Sequence, residues 1–455
     1  MLFHSLRRAL WWAAKWGNEE SFFGVFLDTT PKVSNPSPSK LSDPSQKFFT
    51  KNIYAPLTPA QFDTPNVSWD VLVNFGRPLW GALLQAGSSS VGVVELCKEK
   101  CRPSQGQYGD FDTKTGLLAL LSYRIPFTIS DFALAENLVS HWMHPLIDVS
   151  DNLEQIMVLQ PDEPILALAA FQHGMTMADT LLQALDVLDH ETRWNNISVG
   201  DMGEFVAGLI LLLAFDTISP WLQYPRPLPL QAFLKNLLGH AVVEDLLKVP
   251  EDSSQSNFGQ MLSSGTVFFN RLHRRATAPS TTDIYNMYRT CTACYLPSGL
   301  HGVDILIPVW VPSEREREAH IGCILVQVKN KSYHTFADDA KTSAYIHTKH
   351  AFKALGFSDQ MPVIGLIMCL RGQTHGCEVT SDSRDAKKNF GVILSVGLDT
   401  EQYPMFQGPP EEPETLIKQQ VLRHLQSMVS EVDTYEPDRD KNAYKLLLFE
   451  TEFLP

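Results

Sequence analysis

The chain has 455 residues, of which 44% are hydrophobic and 19% charged, so it is globular in composition and too long for one compact unit. Its net charge of −14 and pI near 5.4 exclude a general electrostatic affinity for nucleic acid, which needs clustered Lys and Arg. Seven scattered Cys exclude the framework of a small disulfide-stapled domain and favour a reducing compartment. The longest apolar stretch, 205–215, is shorter than the roughly 20 residues that span a bilayer. We therefore expect an intracellular multidomain protein, nuclear or cytoplasmic, without a membrane partner; secretion stays open.

Residues 1–125 predict an α/β segment. An amphipathic helix opens it, and the apolar run Phe22–Leu27 predicts a strand that ends at Asp28. The Pro- and Ser-rich stretch 31–46 predicts irregular surface chain, because Pro cannot donate to a strand ladder. Further on, Arg77 lies at a turn between an apolar stretch and a predicted helix.

Residues 126–250 predict a mostly helical domain, because apolar residues recur there every three or four positions. Four stretches carry this pattern: 131–143, 165–188, 200–215 and 230–247. A polar run without periodicity, 250–257, then marks a domain boundary.

Residues 257–455 predict a mixed α/β domain, since short apolar strands alternate there with helical patterns. The candidate strands are Cys291–Leu296, Val303–Val311, Gly322–Val328, Val363–Leu370 and Gly391–Val396. A helix predicted across 340–355 connects the third strand to the fourth. A linker, 409–415, precedes a last helix at 416–429 and a last strand at 444–449.

Two of these strands carry polar residues within apolar runs. Asp304 starts the second strand, and Gln327 and Lys329 end the third, two positions apart and therefore on one face. Phosphodiester hydrolysis needs a divalent cation held by oxygen ligands and a cation near the attacking water. A lone Asp or Lys in a strand is most often a rim residue, so it is the set of three that indicates a hydrolytic site.

The runs 302–308 (GVDILIP) and 327–330 (QVKN) resemble a PD-(D/E)XK nuclease domain. Such a domain, of restriction-endonuclease-like fold, is attached to fungal and oomycete crinkler-type and retrotransposon-hot-spot-type proteins, where it follows a P-loop ATPase module. The runs 22–33, 75–80 and 161–167 resemble, more loosely, basidiomycete proteins of the same layout. The resemblance implies a truncated or degenerate ATPase-like part in a mostly helical N-terminal half, followed by an α/β sandwich with a mixed sheet.

By this resemblance, Asp304 would bind Mg²⁺ or Mn²⁺, Gln327 would add a neutral oxygen ligand, and Lys329 would orient or activate the attacking water. Gln327 departs from the commoner Asp or Glu, which lowers the expected metal affinity. The superfamily also tends to carry an acid on the helix before the first strand. Asp283 is the local candidate, with a helix-capping position as its alternative. Nucleic acid would bind through this local site only.

No Gly-x-x-x-x-Gly-Lys-Ser/Thr sequence occurs, so we expect no ATP; Asp28 and Arg77 then read as structural relics of an ATPase. Cys291 and Cys294 have metal-ligand spacing, but no second pair follows at zinc spacing, which favours core cysteines. Two functions stay open: a metal-dependent DNA or RNA phosphodiesterase of mobile-element or crinkler-effector type, and a catalytically inactive interaction or scaffold protein that retains decayed nuclease and ATPase folds. Its protein partners are not indicated.

Overall fold

The computed structural model describes most of the chain between residues 69 and 430. The described residues are 69–101, 109–149, 156–176, 178–219, 226–249, 256–298, 300, 302–312, 320–329, 346, 348–358, 360–372, 375–380, 390–409 and 411–430. The helix and strand predicted before residue 69, and the strand predicted at 444–449, lie outside them.

Helices dominate the first half of the described chain. They are α1 (Trp69–Asn74), α2 (Pro78–Gln85), α3 (Ser90–Lys100), α4 (Gly109–Ser122), α5 (Phe132–His141), α6 (Pro164–Gln172), α7 (Asp179–Arg193), α8 (Met202–Ile218), α9 (Leu230–Leu238), α10 (His240–Leu247), α11 (Asn257–Ser264), α12 (Thr281–Arg289), α13 (348–354) and α14 (Pro413–Ser430). Two predicted helical stretches are each divided in two. Gly174 (φ +93°) and Gly239 (φ +92°) adopt a backbone conformation that favours glycine, and each ends the first helix of its pair.

The strands are β1 (Thr128–Ile129), β2 (Leu146–Val149), β3 (Ile156–Val158), β4 (Ile197–Ser198), β5 (Leu228–Pro229), β6 (Thr266–Val267), β7 (Arg271–Arg274), β8 (Thr292–Tyr295), β9 (Ile305–Val311), β10 (His320–Lys329), β11 (Val363–Cys369), β12 (Gly376–Thr380) and β13 (Phe390–Val396). Nine of them form one sheet, in which β10, β11 and β13 are parallel and β9 runs antiparallel to β10. The protein is therefore an α/β protein with a mixed sheet, as the sequence predicts.

One face of this sheet packs against α10 and α11. A side chain on Gly322 of β10 would lie 2.7 Å from Met261 Sδ, and one on Gly391 of β13 would lie 2.7 Å from Phe258 Cζ. Both distances are shorter than any ordinary carbon contact, so the helices approach the strand backbone directly. The two glycines make this close approach possible.

The opposite face is covered by α12 and α13. Tyr288 of α12 stacks on Trp310 of β9 with ring centroids 6.0 Å apart, and a side chain on Gly365 of β11 would lie 2.7 Å from Thr348 Oγ1 of α13. The same face carries a separate small apolar cluster formed by Ile367, Cys369, Val392, Leu394 and Val396. Because helices pack on both faces of the sheet, both faces of its central strands are buried.

The described core is continuous across the predicted domain boundary. One cluster of buried apolar side chains runs from Leu72 in α1 to Val429 in α14. The strand β5, from the helical segment, pairs with β6 beyond the boundary. The division at 250–257 stays a prediction, and the two sides of it share one core.

A buried ion pair links the helical part to the sheet. Arg124 Nη2 lies 2.8 Å from Asp216 Oδ1, and both side chains are at most 2% exposed. Arg124 also donates to the carbonyl oxygens of Met175 (2.7 Å) and Asn270 (2.8 Å). One guanidinium therefore joins four segments that are distant in the chain.

We expect Asp216→Asn to lower the free energy of unfolding by about 3–5 kcal/mol, because it leaves the buried Arg124 without its counter-charge. The matched control is Asp189→Asn, which breaks the exposed pair with Arg193 and should cost less than about 1 kcal/mol. Urea denaturation of both variants measures the difference. Equal effects of the two substitutions would contradict this role for the buried pair.

Candidate functional site

Asp304 is held at the point where β9 and β10 begin to pair. The register pairs Ile305 with Val326, and one further step places Gln327 opposite Asp304. The Asp304 N–H donates to the Val326 carbonyl oxygen (2.8 Å), and the Val328 N–H donates to Asp304 Oδ2 (2.6 Å). The Asp304 carboxylate thus takes the place of a backbone acceptor at the end of the ladder, which fixes its position.

Gln327 presents a buried oxygen without a hydrogen-bond donor. Its side chain is only 7% exposed, and no hydrogen-bond partner lies near its Oε1. A buried carbonyl oxygen without a donor costs free energy, which a bound water, ion or ligand at this position would offset. Lys329, the last residue of β10, lies two positions on, and its charge lowers the pKa of Asp304. The structure therefore brings together Asp304, Gln327 and Lys329.

Two further acids lie at this site, Asp201 and Glu204, which no motif in the sequence indicates. Asp201 is the N-cap of α8, and its Oδ1 accepts from the N–H groups of Gly203 (2.8 Å) and Glu204 (3.2 Å). The Tyr295 hydroxyl donates to the Glu204 carbonyl oxygen (3.2 Å), so this end of α8 is fixed against β8. Only the packing of α8 against the sheet brings both acids to the strand ends.

The acids interact through partly dehydrated surroundings. Burial raises the pKa of Asp304 to about 6, the Val328 N–H and Lys329 lower it, and Asp201 raises it again. Burial raises the pKa of Glu204 to about 7, with Asp304 and then Asp201 adding to the shift and Arg274 opposing it. We call Asp201, Glu204 and Asp304 the acidic cluster. Burial and neighbouring negative charge therefore act together on the carboxyl groups of Glu204 and Asp304.

The donor set fits a metal that is held mostly by water and substrate. Across the described part of the chain, no three or more His, Cys, Asp or Glu side chains are grouped to hold a metal ion. Asp304 and Gln327 offer one carboxylate and one buried amide oxygen. Mg²⁺ often binds one or two protein carboxylates and completes its shell with water and phosphate oxygens. Two protein ligands are therefore enough for such a site, at a modest affinity.

Asp283 lies outside the acidic cluster. Its Oδ2 accepts from the backbone N–H (2.8 Å) and hydroxyl (2.7 Å) of Ser280, and the Asp283 N–H donates back to the Ser280 hydroxyl. This is a capping box at the start of α12, and Arg275 pairs with the same carboxylate at 3.4 Å. The structure thus gives Asp283 the alternative role, a helix cap.

The cysteine pair and Arg77, also singled out in the sequence, have structural roles. Cys291 and Cys294 are buried, free thiols, and burial raises the pKa of Cys294 to about 12. Arg77 donates to the buried carboxylate of Glu163 (2.8 Å), which also accepts from the Trp80 indole N–H (2.7 Å). This contact joins two of the runs that carry the looser resemblance. Asp28 lies outside the described residues.

The fold and the site define an α/β protein with a partly buried acidic cluster at the ends of two central strands. The chain belongs to the family described as a domain of unknown function (DUF8736), whose model matches residues 108–386. The match covers α8, β9 and β10, and therefore the whole acidic cluster. No curated protein and no solved structure matches the chain. Within the described residues, no helix is long and apolar enough to cross a membrane.

Glu204→Gln tests the electrostatics of the acidic cluster. The pKa of Glu204 is raised from 4.5 to about 7, so the folded protein keeps a proton that the unfolded chain has already lost. The resulting stability is complete below pH 4.5 and is lost as the pH rises through about 7. Over this range we expect wild type to lose only roughly 2 kcal/mol of unfolding free energy, because water partly screens the partly exposed carboxyl group. The Glu204→Gln variant should not lose this stability.

Urea denaturation at pH 4.5, 6 and 8 measures this difference. The control is the same substitution at the exposed Glu244, which should follow the wild-type pH profile. Parallel profiles for wild type and Glu204→Gln would show that burial and neighbouring charge do not act on this carboxyl group.

Proposed function

We propose that the chain is a metal-dependent phosphodiesterase, a DNA or RNA endonuclease of the PD-(D/E)XK type. The observation that carries the proposal is the meeting of three groups at one strand end. These are the fixed carboxylate of Asp304, the buried and unpartnered Oε1 of Gln327, and the ammonium-bearing Lys329. Each supplies one part that hydrolysis of a phosphodiester needs.

The order of elements around the site supports the same proposal. The helix α12 precedes the strand β8, Asp304 directly precedes the next strand, β9, and Gln327 and Lys329 lie at the end of the strand after it, β10. The helix α13 follows, and β11 then lies parallel to β10. This is the order that the resemblance to a restriction-endonuclease-like domain implies, from the helix before the first strand to the helix after the third.

Each residue has a defined task in the proposed reaction. Asp304 and Gln327 would hold a divalent cation, Mg²⁺ or Mn²⁺, and Lys329 would orient the attacking water and stabilise its developing negative charge. When bound, the cation neutralises charge on the phosphate and makes a coordinated water more acidic. The hydrogen bond from Val328 fixes the Asp304 carboxylate before substrate arrives, so little reorganisation is needed during the reaction.

Lys329→Ala tests this assignment in a plasmid-nicking assay with Mg²⁺ or Mn²⁺. We expect at least about a 100-fold lower rate, since positioned groups that assist proton transfer contribute 10²–10⁴-fold. The control is Lys248→Ala, which removes an exposed lysine paired with Asp245 and should nick at the wild-type rate. Equal, metal-dependent rates of wild type and Lys329→Ala would sink the assignment.

The alternative is a catalytically inactive interaction or scaffold protein. Two observations favour it: the described residues contain no three-ligand group of His, Cys, Asp or Glu, and Gln327 stands where a second acid is commoner. Gln327→Glu separates the two readings. In an active enzyme the added carboxylate lowers the Mg²⁺ concentration needed for half-maximal nicking, whereas in an inactive protein wild type and every variant stay at the background rate. The mobile-element or effector role and the ATPase-like remnant before residue 126 are part of the phosphodiesterase proposal, and they rest on the resemblance alone.

A further inference from the structure

Four basic side chains lie on β7 or directly after it, in a chain whose net charge is −14. Three of them have an acidic partner. Arg271 lies 2.6 Å from Asp162, His273 lies 3.8 Å from the same carboxylate, and Arg275 pairs with Asp283. The fourth is Arg274, for which no ion pair occurs among the residues that the structure describes. Within that part of the chain, the Arg274 guanidinium, on the strand next to β8, therefore has no carboxylate at ion-pair distance.

The Arg274 guanidinium is held in place by uncharged groups. Its Cζ lies 5.1 Å from the centroid of the Tyr295 ring, and its Nη2 donates to the Val199 carbonyl oxygen at 3.3 Å. A side chain on Gly200 (φ +77°) would lie only 3.2 Å from the same Nη2, so glycine leaves room for the guanidinium there. This hydrogen bond uses one of the five N–H donors of arginine. The planar group is therefore fixed, while its other donors make no hydrogen bond to the described residues.

The fixed guanidinium borders the acidic cluster. Tyr295, whose ring supports Arg274, also donates to the carbonyl oxygen of Glu204 and pairs in the sheet with Ile305, the neighbour of Asp304. Gly200, against which the guanidinium lies, directly precedes Asp201. Arg274 also opposes the rise in the pKa of Glu204, so its charge reaches the cluster.

We propose that Arg274 binds a phosphate of the nucleic-acid substrate beside the acidic cluster. This inference rests on the proposed function, because it names the group that contacts the substrate of that site. An acidic protein must offset repulsion of a polyanion locally, and a planar guanidinium with unused donors matches the oxygens of a phosphate. Tyr295 and Gly200 position the Arg274 guanidinium without an acidic partner among the described residues. Arg274 can therefore bind a phosphate without first breaking an ion pair.

The test is the binding of labelled DNA and RNA oligonucleotides, single-stranded and duplex, to the full chain. Fluorescence anisotropy with Ca²⁺ in place of Mg²⁺ is recorded at several salt concentrations. We expect Arg274→Ala to weaken binding about tenfold and to reduce the slope of log K against log salt by about one, the value for one lost phosphate contact. The matched control, Arg193→Ala, removes an exposed arginine of α7 and should leave both quantities unchanged.

Arg274→Lys separates charge from geometry. It should restore the salt slope but only part of the affinity, because lysine lacks the planar fork. A purely structural role would lower the melting temperature of Arg274→Ala without changing the salt slope. A wild-type slope and affinity in Arg274→Ala would overturn the inference.

The outcomes also separate this inference from the proposed catalysis. If wild type binds oligonucleotides in an Arg274-dependent way but does not nick plasmid, the phosphate contact stands and the hydrolase proposal fails. If wild type nicks plasmid while Arg274→Ala binds and nicks equally well, the hydrolase proposal stands and the phosphate contact fails. If wild type binds no oligonucleotide even at low salt, both are overturned.

Discussion

The pairing register between β9 and β10 is the constraint on which the site depends. Side chains of a strand alternate between faces, so a slip of one residue would move Val328 into the place of Gln327 and bury the lysine on the wrong face. Gly322 opposes such a slip, because Met261 and the Pro362 carbonyl oxygen leave no room for a side chain there. The packing of α11 on one face therefore decides which residues reach the site on the other.

The site combines costs that a purely structural protein would avoid. Asp304, Gln327 and Glu204 bring like charge and an unsatisfied oxygen into partly dehydrated surroundings, and each lowers stability unless something binds there. Elsewhere the protein pairs its buried charges closely: Arg124 with Asp216, and Arg271 with Asp162. Buried amide oxygens without a hydrogen-bond partner also occur at Gln160 and Gln172, so it is the like charge of Asp304 and Glu204 near Gln327 that is typical of a functional site.

The sequence predicts the central strands well because their signal is local. Runs of buried apolar residues identify β8 to β11 and β13 to within two residues, and the alternation of β10 places Gln327 and Lys329 on one face. It fails where the structure is set by distant contacts. The strand β12 is only half-buried and has no comparable apolar run. Glu204 reaches the site because α8 packs across the sheet, which no spacing in the sequence reveals. For Asp283 the sequence allows two interpretations, a site acid and a helix-capping residue. Its hydrogen bonds with Ser280 place it in a capping box.

Anomalous diffraction from crystals of the full chain grown with Mn²⁺ shows whether Asp304 and Gln327 form a divalent-cation site. We expect one manganese peak within about 2.0–2.4 Å of an Asp304 carboxylate oxygen and Gln327 Oε1, and no such peak in crystals of Asp304→Asn. A well-diffracting crystal at millimolar Mn²⁺ with no peak between these two side chains would contradict it.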